Sequence, residues 1–228
     1  MNKVFGLILA SGTGERAGLN KPKQFFEVKG KMLIEHSIEA FENNSFVTDI
    51  IVVSHPDFVD YVKEIVAKNF YKKVRKVVKG GATRQESSYN GISEIPNGSK
   101  VLIHDAVRPF VSQRIINDCV EALNNYQAVG VAIPCSDTII QVENGKIKNI
   151  PNRSELMQIQ TPQAFQSDVI KQAHEILKTR NDVVVTDDCG LIMALNLCEI
   201  FVVQGEERNI KITYPKDIVL AEKIYEMK

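Results

Sequence analysis

Gly12, Gly14, Arg16, Pro22 and Lys23 lie close together in LASGTGERAGLNKPKQF, the stretch from Leu9 to Phe25. Gly12 and Gly14 let a backbone approach a phosphate and turn N–H groups toward it. Arg16 can fork onto phosphate oxygens, and Lys23 adds a compact ammonium. Pro22 fixes the backbone beside Lys23 and keeps a long helix from running through the loop. Cations held this way suit a triphosphate. Attack at the α-phosphorus builds negative charge on its equatorial oxygens and on the departing pyrophosphate, and fixed cations aimed there favour the transition state over the ground state. A nucleophile that is itself a phosphate oxygen is already ionised at neutral pH, so no strong general base is needed.

The loop admits two other readings. Gly12-x-Gly14-x-x-Ala17 matches the dinucleotide fingerprint of nicotinamide-dependent oxidoreductases, but Gly18 and Pro22 interrupt the helix that fingerprint requires. A non-catalytic nucleotide-binding module would keep the glycines and have no use for both Arg16 and Lys23. The P-loop pattern G-x-x-x-x-G-K-[ST] does not occur in the chain.

Later segments add to the set. In GGATRQESS (Gly80 to Ser88), Gly80 and Gly81 leave room for a flat ring against the backbone, and Arg84 and Ser87 share a helical face; an ordinary amphipathic helix start reads the same way. In HDAVRPF (His104 to Phe110), Asp105 suits a Mg2+ ligand or an acceptor for a polyol hydroxyl. Arg108 before Pro109 places a cation on a stiff turn, and His104 reads equally as a packed or a catalytic histidine. SDT (Ser136 to Thr138), Arg153, TPQ (Thr161 to Gln163), TDD (Thr186 to Asp188) and NIKIT (Asn209 to Thr213) are weaker signals. Thr186 could cap a helix starting at Asp187, and Lys211 could be a solvated lysine.

These positions need a frame, and the apolar pattern supplies one. Strand-like runs at Val4 to Leu9, Asp49 to Ser54, Val74 to Val78, Lys100 to His104, Ala128 to Ile133 and Ile200 to Val203 alternate with helical patterns at Met32 to Phe41, Phe58 to Ala67, Gln113 to Leu123 and Ile218 to Tyr225. The alternation predicts an α/β fold with a mostly parallel sheet and helices on both faces. Ligands of such sheets bind beyond the carboxyl ends of the strands, where the segments above begin. TIIQVENGKIKNI (Thr138 to Ile150) breaks the rhythm: two β-type runs flank Asn144-Gly145, a type I′ turn pair, and read as either a projecting arm or an edge hairpin.

The 228 residues suffice for one large domain. Lys+Arg and Asp+Glu both number 28, so no global basic field calls for nucleic acid or an anionic membrane. No apolar run reaches a membrane span. Cys119, Cys135, Cys189 and Cys198 form no C-x-x-C pair or metal-ligand spacing with histidine and read as reduced thiols, so a cytoplasmic location is expected.

Taken in order, LILASGTGERAG, PKQFF, GGATRQESS, HDAVRPF, SDT, TPQAF, TDD and NIKITYPKD closely resemble the cytidylyltransferases acting on 2-C-methyl-D-erythritol 4-phosphate and on D-ribitol 5-phosphate, over nearly the whole chain. The resemblance implies a Rossmann-like nucleotidyltransferase fold in a single domain, a protruding β-arm over residues 136–157, a homodimer, and the use of CTP and Mg2+. It implies that Arg16 and Lys23 stabilise the transition state, with Lys211 as a further catalytic cation. It assigns Ala10, Ser11, Gly12, Gly14, Gly81, Arg84, Ser87, Asp105 and Ala106 to the CTP site, with Asp105 beside Mg2+. It assigns Asp105, Arg108, Thr138, Arg153 and Thr186 to the acceptor, Arg153 reaching in from the arm of a partner subunit. Ser11, Ala17 and Ala82 depart from the family's usual residues. GGATRQESSYNG is more like the methylerythritol enzymes. HDAVRPF, SDTII and IPNRSELMQIQTPQAF are more like the ribitol enzymes, and D-ribitol 5-phosphate is slightly favoured.

Overall fold

The structure is a computed structural model that describes residues 3–13, 22–180 and 184–226; Gly14, Arg16 and Ala17 lie outside the described residues. Strand β1 (Val4–Ala10) is buried at every position, as a central strand covered on both faces must be. Val4, Ile8 and Ala10 face one core, and Phe5, Leu7 and Leu9 face the other. A short hairpin, β2 (Glu27–Val28) with β3 (Lys31–Met32), leads into α1 (Leu33–Glu42). The alternation continues through β4 (Asp49–Ser54), α2 (Val59–Lys68), β5 (Val74–Lys79), α3 (Arg84–Ser93), β6 (Lys100–Asp105), α4 (Gln113–Ala122) and β7 (Ala128–Pro134). After the exposed strands β8 (Gln141–Glu143) and β9 (Lys146–Asn149) come β10 (Met157–Gln166), α5 (Ser167–Leu177), α6 (Asp188–Ala194), β11 (Ile200–Gln204) and α7 (Pro215–Glu226).

The main sheet has the order β11-β7-β10-β6-β1-β4-β5. All its pairings are parallel except those of β10, which runs antiparallel to both β6 and β7. Helices α1, α2 and α4 cover one face through Ile38, Phe41, Val62, Ile65 and Ile116. Helices α3, α5 and α6 cover the other through Ile92, Ile170, Ala173 and Ile192. A third, smaller cluster ties α7 to β2 and the start of α1 through Ala221, Val28 and Leu33. The fold is therefore the α/β arrangement expected, mostly parallel with helices on both faces.

Two segments refine that expectation. β10 has no counterpart among the elements read from hydropathy, because MQIQTPQAFQ mixes four glutamines and a proline into its apolar positions. The register slips between Gln160 and Gln163, so Pro162 sits at an irregularity where the ladder needs no N–H. The hairpin around Asn144-Gly145 forms with both residues at positive φ, 50° and 75°, as a type I′ turn requires. Among the described residues it pairs only with itself, outside the main sheet, and exposes every residue of β8 and β9, so it is a projecting arm and not an edge hairpin.

Candidate active site

The parallel strands present their carboxyl ends along one edge of the sheet, and a cleft of about 410 Å³ opens there. Its floor is the end of β1 and the turn after it: Ala10, Ser11 and Gly12. Lys23 and Gln24 close one side, and Gly81, Ala82, Arg84 and Ser87 the other. Asp105 at the end of β6 and Lys211 near the C-terminus complete it, with His55 and Val107.

The first and third loops are locked together by small residues. A Cβ on Gly80 would stand 2.5 Å from the Ser11 Cβ and 2.9 Å from the Ser87 Oγ, so only glycine lets this turn lie against both serines. Ser11 donates its hydroxyl to Ser87 Oγ at 2.8 Å, and Ser87 donates to the Thr83 carbonyl at 2.9 Å. The Gly81 N–H donates to Ser87 Oγ at 3.1 Å. Thr83 caps α3 by accepting from the Glu86 N–H at 3.1 Å, which brings Arg84 and Ser87 onto the first turn. On the other side the buried Gln24 amide donates to the carbonyls of Ala10 and Gly12, at 2.8 and 3.1 Å. That brace fixes the neighbouring Lys23, whose ammonium donates to the Thr213 carbonyl at 3.2 Å.

Asp105 is held from behind. His104 is fully buried; its Nε2 is 3.0 Å from the Arg108 carbonyl, which can only accept, so Nε2 carries the proton and Nδ1 accepts from the Thr161 hydroxyl at 3.0 Å. The same Thr161 oxygen accepts the Asp105 N–H at 3.1 Å. Burial drives the His104 pKa down to about 4, and the ring is neutral at physiological pH. Of the two readings left open for His104, the structure supports the packed histidine.

The charges alternate across the cleft. Lys211 Nζ lies 2.7 Å from Asp105 Oδ2, and Arg84 Nη2 lies 3.9 Å from Asp105 Oδ1. Burial alone would raise the Asp105 pKa, but Lys211, Arg84 and Arg108 outweigh it and hold the carboxyl well below its ordinary range. Arg84 also reaches away from the cleft, with Nη1 2.7 Å from Asp188 Oδ2. The arrangement offers cations from three separate segments of the chain and one ionised carboxylate to a ligand seated on small residues.

A sequence profile of the family described as IspD, 2-C-methyl-D-erythritol 4-phosphate cytidylyltransferase, matches residues 4–227. The chain belongs to this cytidylyltransferase family. It is 39% identical over 231 residues to the bifunctional ribulose 5-phosphate reductase/CDP-ribitol pyrophosphorylase Bcs1 of Haemophilus influenzae, covering 99% of this chain and 48% of that protein, so the chain spans about half of that relative's length. It is also 39% identical over 226 residues to the 2-C-methyl-D-erythritol 4-phosphate cytidylyltransferase of Lachnoclostridium phytofermentans, covering 98% of this chain and 97% of that one. The crystal structure of 4-diphosphocytidyl-2C-methyl-D-erythritol synthase from Anaerococcus prevotii superposes with a TM-score of 0.88 at 30% identity, covering 99% of this chain and 96% of that one. This chain is thus a nucleotidyltransferase with CTP as the family's substrate.

Of the residues singled out in this cytidylyltransferase's sequence, Ala10, Ser11, Gly12, Lys23, Gly81, Arg84, Ser87, Asp105 and Lys211 line the one cleft. Gly14 and Arg16 lie outside the described residues. Ala106 is fully buried in the core, its carbonyl accepting the Ser37 hydroxyl at 2.9 Å. Arg108 is turned inward, donating to the Asn209 carbonyl at 2.8 Å. Thr138 and Arg153 are exposed at the base of the arm, where Arg153 donates to the Ser136 carbonyl at 3.1 Å. Thr186 is exposed and does not cap α6: the helix begins at Asp188, and Asp187 caps it by accepting the Gly190 N–H at 2.7 Å. Within one chain the residues expected at the acceptor therefore do not converge as those expected at the nucleotide do. No motif pointed to Gln24 or His55 as cleft residues; a glutamine between Lys23 and two phenylalanines carries no chemical signature of a brace.

Proposed function

We propose that the chain transfers the cytidylyl group of CTP to D-ribitol 5-phosphate and releases pyrophosphate. The observation that carries the nucleotide half of this reading is the convergence of Lys23, Arg84 and Lys211 with Gly81 around one cleft. In the step, an acceptor phosphate oxygen forms a bond to the α-phosphorus while the bond to the bridging oxygen breaks, and pyrophosphate leaves with the electron pair. Lys23, together with Arg16, meets the charge that grows on the phosphoryl oxygens and the leaving group. Lys211 and Arg84 orient the triphosphate, and the 80–82 backbone and Ser87 seat the cytidine. Asp105, an ionised carboxylate in the cleft, would suit a hard divalent cation such as Mg2+, which is usually held by one or two carboxylates together with substrate phosphates. Among the described residues no cluster of three or more His, Cys, Asp or Glu side chains could hold a metal without substrate. When bound, Mg2+ supplies charge neutralisation to the triphosphate.

For the acceptor, HDAVRPF, the absence of a basic residue in Ser136–Ile140 and IPNRSELMQIQTPQAF favour the pentitol phosphate. The name of the Haemophilus influenzae relative, a CDP-ribitol pyrophosphorylase, agrees. A second reading, 2-C-methyl-D-erythritol 4-phosphate, is favoured by GGATRQESSYNG and by the names of other relatives. On either reading the whole chain acts as one catalytic domain, and residues 136–157 engage a second copy. Ile139, Ile140, Val142, Ile147 and Ile150 expose large apolar side chains on this arm, a surface that a partner would cover. Arg153 would then complete the partner's acceptor pocket. Among the described residues no helix is long and apolar enough to cross a membrane, and all four cysteines are free thiols, in keeping with a cytoplasmic setting.

The test is pyrophosphate release from CTP and Mg2+ with each of the two polyol phosphates. Faster turnover per concentration with ribitol 5-phosphate is expected; a preference for methylerythritol phosphate would install the second reading, and silence with both would remove the proposal.

A further inference from the structure

Arg84 is a cleft cation whose direction is set from outside the cleft. Its guanidinium stands between two carboxylates, Asp188 at 2.7 Å and Asp105 at 3.9 Å. Asp188 has no exposed surface and does not line the cleft, so it cannot touch a ligand there. Each of its oxygens is nonetheless engaged. Oδ2 accepts from Arg84, while Oδ1 accepts the Ser88 hydroxyl at 2.7 Å and lies 3.4 Å from His174 Nε2. Its backbone is pinned as well. The Gln163 side-chain carbonyl accepts the N–H groups of Asp188 and Cys189, both at 3.0 Å, and the Gln163 amide donates to the Asp187 cap at 2.8 Å.

We infer that Asp188 is a positioning residue for nucleotide binding: it fixes the Arg84 guanidinium in the direction that meets CTP and keeps it from closing onto Asp105. The inference rests on the reading of the cleft as the CTP site. Apolar residues of similar volume often serve stability as well as a buried ion pair does, so what the charge adds here is direction. An arginine without its rear partner would be free to swing to the other carboxylate within reach, where it would compete with Lys211 for Asp105. Burial would raise the Asp188 pKa, but Arg84, His174 and Ser88 bring it down to about 2, so the anchor is charged at any pH at which the reaction would be assayed. Holding the side chain in its bound direction beforehand lowers the ordering cost of binding.

The experiment is a double-mutant cycle on Asp188→Asn and Arg84→Gln, reading KM for CTP, KM for the polyol phosphate and kcat by pyrophosphate release, with thermal unfolding alongside. Asp188→Asn is expected to raise KM for CTP on the order of tenfold while KM for the acceptor stays within about twofold. In the Arg84→Gln background the same change is expected to move KM for CTP by less than about twofold, since the group it aims is gone. A folded Asp188→Asn protein with unchanged KM for CTP overturns the inference, and so do losses that multiply in the double variant. If Asp188→Asn does not fold, Ser88→Ala loosens the same carboxylate and is read by the same cycle: a rise of about threefold that vanishes without Arg84 supports the inference, and an unmoved KM overturns it. An unmodified chain that releases no pyrophosphate from CTP defeats the reading of the cleft itself, an outcome distinct from normal turnover with an indifferent Asp188.

Discussion

Lys23 and Lys211 reach the cleft from opposite ends of the chain; Lys23 donates to the Thr213 carbonyl, and Lys211 pairs with the Asp105 carboxylate. If Lys23 meets charge that exists only as pyrophosphate leaves, Lys23→Ala should lower kcat by about a hundredfold or more while weakening CTP binding by much less. Single-turnover kinetics beside equilibrium binding separates the two, and equal losses would reduce Lys23 to a binding group. His104 offers a check on the packing behind Asp105. Its pKa falls from the ordinary 6.5 to about 4 on folding, burial being the largest cause. Between those values the unfolded chain binds a proton that the folded chain refuses. Stability present at neutral pH is therefore lost as the pH falls from 6.5 toward 4, on the order of 3 kcal/mol in all. His104→Gln should flatten that part of the pH dependence of urea unfolding, and an unchanged slope would assign it to another group.

At the scale of elements, β10 and α6 act as one support. Gln163, almost fully buried in β10, supplies the acceptor for two N–H groups at the start of α6 and a donor to its cap. Gln163→Ala should cost about 1–3 kcal/mol in denaturant unfolding, because it leaves those groups without partners, and should also raise KM for CTP through Asp188. Stability lost with no change in KM would mean that α6 keeps its place by packing alone. This support was the least legible part of the molecule in sequence. β1, β4, β6 and β7 are read directly from VFGLILA, DIIVVS, KVLIHD and AVGVAIP, since burial on both faces leaves near-continuous apolar runs. β10 is buried from Gln160 to Phe165, but its inward positions include Gln160, Thr161 and Gln163, which bind other loops where an ordinary strand would pack apolar side chains. TPQ therefore reads as a site loop, when its role in the described structure is to hold Asp105 and α6 in place. The cleft itself was more legible, since glycines and cations in loops have few structural uses. Gln24 and Asp188 were not, because their partners lie far away in sequence or are backbone atoms.

At the scale of the whole molecule, the separation of the proposed nucleotide residues from the proposed acceptor residues leads to a sharp test of the proposed dimer. Lys23 and Arg153 would serve the same reaction from different chains. Mixing Lys23→Ala with Arg153→Ala protein, each nearly inactive alone, should then restore up to about a quarter of normal activity, since random pairing leaves one intact site in each mixed dimer. No recovery after mixing and re-equilibration would put Arg153 in the same chain's site or remove it from the reaction. The position of β10 has a further bearing on how the chain is made. It is the tenth of the described strands in chain order, yet it lies between β6 and β7, both synthesised earlier. A nascent chain that ends before Met157 thus carries two hydrophobic strands whose facing edges have nothing to pair with. Such edges are sticky, so chaperone demand should concentrate on that interval of translation and fall once Gln166 has emerged.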